Sequence, residues 1–175
     1  LESNVAPSID DNTLSIDENS EIGTVLGTIA ASDENGDELE YDIEDATGTF
    51  DIDPVTGEIT VVNADALNYE ANTTITIKVT VSDGLVLTEK TFTVSINNLN
   101  EPVTQSAYQP LTLSEGSDTG IELFTLQATD PDGDDISFSL NAGGYNYFGI
   151  EENKVILVNP LDYETVESIN LEVIA

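Results

Sequence analysis

The chain has 175 residues, of which 35 are Asp or Glu against three lysines, with no arginine, histidine or cysteine and a formal net charge of −32. A surface so charged repels phosphate, which excludes nucleic acid as a partner and argues against direct contact with an anionic membrane. Without cysteine or histidine there are no disulfides, thiolate metal sites or imidazole ligands, and the donors that remain are the oxygens suited to calcium or magnesium.

The first residues, Glu2-Ser3-Asn4-Val5-Ala6-Pro7, read as the tail of a linker. Leu39, Tyr41 and Ile43 then alternate with Glu38, Glu40 and Asp42, a period of two that marks a half-buried strand. Asp53 to Gly57 carries turn chemistry between Phe50-Ile52 and Ile59-Val61 and predicts a hairpin. From Thr74 to Val81 the residues Ile75, Ile77, Val79 and Val81 share one face, and Phe92, Val94 and Ile96 repeat the pattern. Residues 97–102, Asn-Asn-Leu-Asn-Glu-Pro, are poor in apolar side chains and read as a linker. Beyond it the alternation returns in Ile136, Phe138 and Leu140, and the last apolar face is Ile169, Leu171 and Val173. About seven short strands in the first hundred residues, no helical period and turns rich in Gly, Asp and Asn predict an all-β chain built as sandwiches of two antiparallel sheets.

An acidic signature occurs twice. Glu18, Asp33 with Asn35, and Leu67-Asn68-Tyr69-Glu70 stand in the same order as Glu115, Asp130 with Asp132, and Leu161-Asp162-Tyr163-Glu164. The first two elements keep an offset of 97 residues, which predicts tandem copies of one domain: residues 1–102, ending in the linker 97–102, and residues 103–175. The last motif is offset by 94, so the counterpart of Asp83 falls beyond Ala175, and the second copy is expected to be truncated, without its last strand.

Together these motifs resemble the cadherin repeat in the form found in large bacterial surface adhesins. The first copy matches through Asp17-Glu18-Asn19 before Gly23, Ala31-Ser32-Asp33-Glu34-Asn35-Gly36, Phe50-x-Ile52-Asp53 with Thr56-Gly57-x-Ile59, Leu67 to Glu70, and Val81-Ser82-Asp83-Gly84. The second matches at Glu115, at Ala128-Thr129-Asp130-Pro131-Asp132-Gly133 and at Leu161 to Glu164, while Glu151-Glu152-Asn153-Lys154 replaces the Thr-Gly hairpin and leaves that element open. The resemblance implies two tandem Greek-key sandwiches joined by a short calcium-binding linker. It also implies ligand sets for calcium. At a central junction these would be Glu18, Glu70, Asn98, Asn100, Glu101, Asp130 and Asp132. At an N-terminal junction they would be Glu2, Asn4, Asp33, Asn35 and Asp83, and towards a C-terminal one Glu115, Asp162 and Glu164. Asn68 and Asn98 stand where the family usually has Asp, so the central set carries two fewer charges.

Other readings of the acidic residues are weaker. An EF-hand beginning at Asp130 fails at its twelfth position, Asn141. A glycosidase needs one acid raised in an apolar cleft, whereas these carboxylates sit in polar turns, and nucleophilic triads lack His or Cys. The expected class is therefore non-enzymatic: a calcium-rigidified spacer of a secreted or cell-surface adhesin, with neighbouring repeats of the same chain as partners. Two alternatives are carried with it. Tyr145 and Tyr147, near Gly143-Gly144, would stack sugars in a calcium-dependent module for cell-surface polysaccharide; homophilic adhesion to another adhesin copy ranks third, because the family's strand exchange uses an N-terminal Trp that is absent here.

Overall fold

The computed structural model describes residues 3–141 and 146–175, and its regular elements are all β. The chain divides into two compact units, Leu1–Leu99 and Asn100–Ala175.

Among the described residues, unit 1 holds nine strands: β1 (Ser8–Ile9), β2 (Leu14–Asp17), β3 (Val25–Thr28), β4 (Ala31–Ser32), β5 (Glu40–Asp45), β6 (Phe50–Ile52), β7 (Glu58–Val61), β8 (Thr74–Ser82) and β9 (Leu87–Asn97). One sheet has the order β2-β9-β8-β5 and the other β3-β7-β6, while β1 pairs with β4. The period-two pattern is obeyed residue by residue. Ile75, Ile77, Val79 and Val81 of β8 and Phe92, Val94 and Ile96 of β9 are buried against Phe50, Ile52, Ile59 and Val61 of the opposing sheet. Burial of alternate side chains between two sheets is what closes a sandwich.

The hairpin expected at Asp53 to Gly57 forms between β6 and β7, with Phe50 opposite Val61 and Ile52 opposite Ile59. Asp53 builds its turn by accepting the amides of Val55 at 2.9 Å and Thr56 at 2.7 Å. Gly57 has φ +71°, and a Cβ there would meet the Ile29 carbonyl oxygen at 2.8 Å, so only glycine closes this turn without strain.

β2 runs parallel to β9, with Leu14 opposite Val94 and Asp17 opposite Asn97. The other pairs of that sheet are antiparallel: β5 pairs with β8, and β8 and β9 form a long hairpin from Thr74–Ser95 to Ser82–Leu87. Another polar device holds the loop between β5 and β6. Asp45 Oδ1 accepts the Thr47 amide at 2.9 Å and its hydroxyl at 2.6 Å, and Oδ2 accepts the amides of Thr49 at 2.7 Å and Phe50 at 3.0 Å. Burial alone would push the Asp45 carboxyl up, but the bonds from Thr47, Phe50 and Thr49 outweigh it and hold it below its ordinary value. Asp45→Ala is expected to lower the unfolding free energy by about 2 kcal/mol, because it strands several donors. Because the folded carboxyl is the more acidic, its contribution is full above the unfolded pKa of about 3.9 and is lost as pH falls below it. Urea unfolding of Asp45→Ala at pH 7 and pH 3 measures both effects; equal midpoints for wild type and variant at pH 7 would contradict them.

Unit 2 holds β10 (Thr104–Gln105), β11 (Glu122–Thr125), β12 (Ala128–Thr129), β13 (Ser139–Leu140), β14 (Phe148–Glu151), β15 (Lys154–Leu157) and β16 (Val173–Ile174). Its pairings repeat those of unit 1. β11-β15-β14 follows β3-β7-β6, β10 pairs with β12 as β1 does with β4, and β13 pairs with β16 as β5 does with β8. Even the register irregularity recurs, between Glu122 and Phe124 as between Val25 and Gly27. The element left open by sequence is a hairpin after all: Glu151 pairs with Lys154, and Glu152 turns the chain at φ 56°. Of the alternating run Ile136, Phe138 and Leu140, the last lies in β13, a strand of two residues matched to the two of β16.

Candidate metal centres

Glu18 follows β2 at the end of the first sandwich and is 1% exposed. Its Oε2 accepts the Tyr69 amide at 2.8 Å and its Oε1 the Leu99 amide at 2.7 Å. Carboxylate oxygens of Glu18 and Glu70 come within 4.8 Å of each other. Unit 2 repeats the arrangement. Glu115 Oε2 accepts the Tyr163 amide at 3.2 Å, and Glu115, Asp162 and Glu164 bring carboxylate oxygens within 4.8 Å of one another. Two like charges at such spacing repel by about 1 kcal/mol in water and more where water is excluded.

The position held by Asn68 in one unit and Asp162 in the other has a job of its own. Asn68 Oδ1 accepts the Ala71 amide at 2.7 Å, and Asp162 accepts the Glu164 amide at 3.1 Å and the Thr165 hydroxyl at 2.8 Å. Both therefore cap the turn that presents Glu70 or Glu164. The Thr165 hydroxyl, with help from Glu164, holds the Asp162 carboxyl below its ordinary value.

A second constellation lies in unit 1, where residues 3–5 meet two loops. Asn4 donates its carboxamide to Asp83 Oδ2 at 2.9 Å, and the Val5 amide donates to Asn35 Oδ1 at 2.8 Å. Asp83 Oδ1 accepts the amides of Leu85 at 2.7 Å and Val86 at 2.6 Å. The Val86 amide, then Asn4 and Leu85, hold the Asp83 carboxyl below its ordinary value, so it remains charged in mild acid. Asp33 Oδ1 accepts the Asn35 amide at 2.7 Å, whereas its Oδ2 is buried and has no hydrogen-bond partner. A buried carboxylate oxygen without a partner is costly and calls for a cation. The chain's lysines do not serve these groups: Lys78 pairs with Glu44 and Glu89, Lys90 with Asp11 and Lys154 with Glu122. An all-oxygen donor set with one oxygen unsatisfied fits a hard divalent ion.

In unit 2 the Glu101 amide donates to Asp132 Oδ2 at 2.7 Å, as the Val5 amide does to Asn35, and Asp130 Oδ1 accepts the Asp134 amide at 3.2 Å. Asn98 is exposed in unit 1, and Asn100 is exposed in unit 2. Glu2 and Tyr145 lie outside the described residues. Tyr147 packs, partly buried, against the second core, which is ordinary strand-end packing. The backbone amides of Tyr69, Leu99 and Tyr163, which aim the acidic side chains, carry no side-chain signal and escape a reading of the sequence.

Comparison with known proteins bears on the fold. Residues 12–97 match the cadherin domain model. The chain is 30% identical over 169 residues, 89% of its length, to the fat-like cadherin-related tumor suppressor homolog of Drosophila melanogaster, and 27% identical over 172 residues, 93% of its length, to human cadherin-23. It spans only 4% and 5% of the length of those animal proteins. Among solved structures, human protocadherin-24 EC1-2 superposes with a TM-score of 0.72 at 22% identity, covering 97% of this chain and 86% of that one. Drosophila N-cadherin EC1-4 gives 0.72 at 18% identity, covering 97% and 48%. Residues 12–97 thus match a cadherin domain, and the fold of the chain is that of cadherin repeats.

Proposed function

We propose that this chain is a non-enzymatic calcium-binding segment of an extracellular adhesion protein, secreted or held at a cell surface, in which calcium stiffens a run of repeats into a spacer. The observation that carries the reading is the buried, unpartnered Asp33 Oδ2 beside the loops fixed by Asn4, Asn35 and Asp83. The repeated pairing of Glu18 with Tyr69 and Glu115 with Tyr163 supports it, since each unit holds close carboxylates in place and supplies no lysine to neutralise them. Glu18, Glu70 and Asn98 would serve as donors in unit 1, and Asn100, Glu101, Asp130 and Asp132 in unit 2. Glu115, Asp162 and Glu164 form the remaining set. Calcium, when bound, supplies the positive charge and accepts six to eight oxygens in a flexible shell.

The chain's own part is to hold those oxygens ready. Glu18 is aimed by two amides, Asp83 is kept ionised by three donors, and Asn68 and Asp162 cap the turns that carry Glu70 and Glu164. Neighbouring repeats in the same chain are the partners this arrangement favours, and the bacterial surface-protein form rests on the resemblance of the motifs. Small-angle scattering of the 175-residue chain provides the test. Millimolar calcium should raise the maximum dimension and narrow the distance distribution relative to chelator; superimposable profiles would end the spacer reading.

A further inference from the structure

We propose that Asn72 is an acceptor for an asparagine-linked oligosaccharide, added as the chain is exported. Asn72-Thr73-Thr74 is the only run in the sequence with Asn followed two places on by Ser or Thr, and no proline stands between them. That spacing is what an oligosaccharyltransferase reads, because the hydroxyl at the second position lets the enzyme hold the asparagine carboxamide in its reactive pose. Glu70 stands two residues before Asn72, so the segment also has the upstream carboxylate that acid-dependent bacterial transferases require.

The fold leaves this segment open to such an enzyme. Asn72, Thr73 and Thr74 are all exposed, in the stretch between the turn at residues 69–71 and the start of β8. The turn is closed without the Asn72 side chain: the Asn72 backbone amide donates to the Asn68 carbonyl at 2.9 Å, and Asn68 Oδ1 accepts the Ala71 amide at 2.7 Å. The Asn72 carboxamide makes no hydrogen bond among the described residues, so it has no capping role to lose. Thr74 is the first residue of β8, and the alternation that buries Ile75 turns the Thr74 hydroxyl to solvent. The counterpart in unit 2, Val166-Glu167-Ser168, has no Asn, so the site lies outside the repeated acidic signature.

The transfer needs no redox partner. Asn72 Nδ2 attacks the anomeric carbon of a polyprenyl-diphosphate-linked oligosaccharide. The N–C bond forms as the C–O bond to the diphosphate breaks, the diphosphate leaves with the electron pair, and the nitrogen gives up one proton to solvent. The product adds hydrated bulk beside the turn that presents Glu70, without adding charge.

The proposal rests on the extracellular reading above, because these transferases act on exported chains, but it does not require calcium. Secreting the chain from animal cells, and exporting it from bacteria that carry an acid-dependent oligosaccharyltransferase, tests it. Intact mass should show one added glycan in both hosts. Asn72→Gln and Thr74→Ala should each lose the addition, whereas Thr73→Ala and Thr74→Ser should keep it. Glu70→Gln should lose it in the bacterial host alone. Addition in one host only would support the site and identify the class of transferase; unmodified mass in both, or a glycan that survives Asn72→Gln, would overturn it. Scattering of the same secreted protein with calcium and with chelator reads the spacer separately, so a chain that stiffens with calcium yet carries no glycan sinks this proposal alone.

Discussion

Replacing Glu18 by Ala should cost unit 1 about 3 kcal/mol of stability and abolish calcium-dependent stabilisation of its set. Both carboxylate oxygens accept backbone amides, from Tyr69 and Leu99, and the side chain is 1% exposed. Truncation strands two donors, each costing ~1–3 kcal/mol when left unpaired, and opens a hole beneath the turn that presents Glu70. Glu18→Gln keeps one acceptor, removes the charge and turns an amide donor towards the other backbone N–H; it should cost less stability than Ala while losing the calcium response. Urea unfolding with chelator and with calcium measures both variants. A loss under 0.5 kcal/mol for Glu18→Ala, on the scale of an ordinary surface change, would show that this carboxylate does not organise the loop.

Ten millimolar calcium should stabilise the chain by about 1.4 to 2.7 kcal/mol per occupied site, as dissociation constants of roughly 1 to 0.1 mM imply. Sodium chloride at the same ionic strength is the necessary control, since a chain of net charge −32 gains some stability from screening alone. The specific effect should respond to single charges. Glu70→Gln is expected to weaken binding about tenfold, or about 1.4 kcal/mol. Asn68→Asp should tighten binding while preserving the cap on the Ala71 amide. Calorimetric titration of the three proteins reads these constants directly. Equal stabilisation by the two salts would reduce the acidic residues to a screened surface.

The architecture of unit 1 was legible because alternation and turn chemistry coincide there. Thr74 to Val81 has a single strand reading, and Asp53 to Gly57 has both the acceptor and the glycine its turn requires. The acidic residues were legible through repetition rather than through any one motif. What escaped reading depends on the backbone. Nothing in Leu14 to Asp17 announces a parallel partner some eighty residues away, and Asp45 looks like another surface carboxylate until four donors converge on it. The hairpin at Glu152 was obscured because a non-glycine residue takes the left-handed conformation there.

The parallel pairing of β2 with β9 bears on how unit 1 would respond to load. Tension applied to the two ends of that unit pulls Leu14 to Asp17 one way and Val94 to Asn97 the other, along the strand axis. The ladder between them is loaded in shear, so its hydrogen bonds must yield together, whereas a hairpin pulled at its open end unzips one bond at a time. Ser8–Ile9 and Ala31–Ser32, a two-residue antiparallel pair outside that clamp, would release first and lengthen the chain slightly before the sandwich is strained. A strand order that in a static protein merely completes a sheet thus becomes, in a tether, the latch that sets the force of rupture.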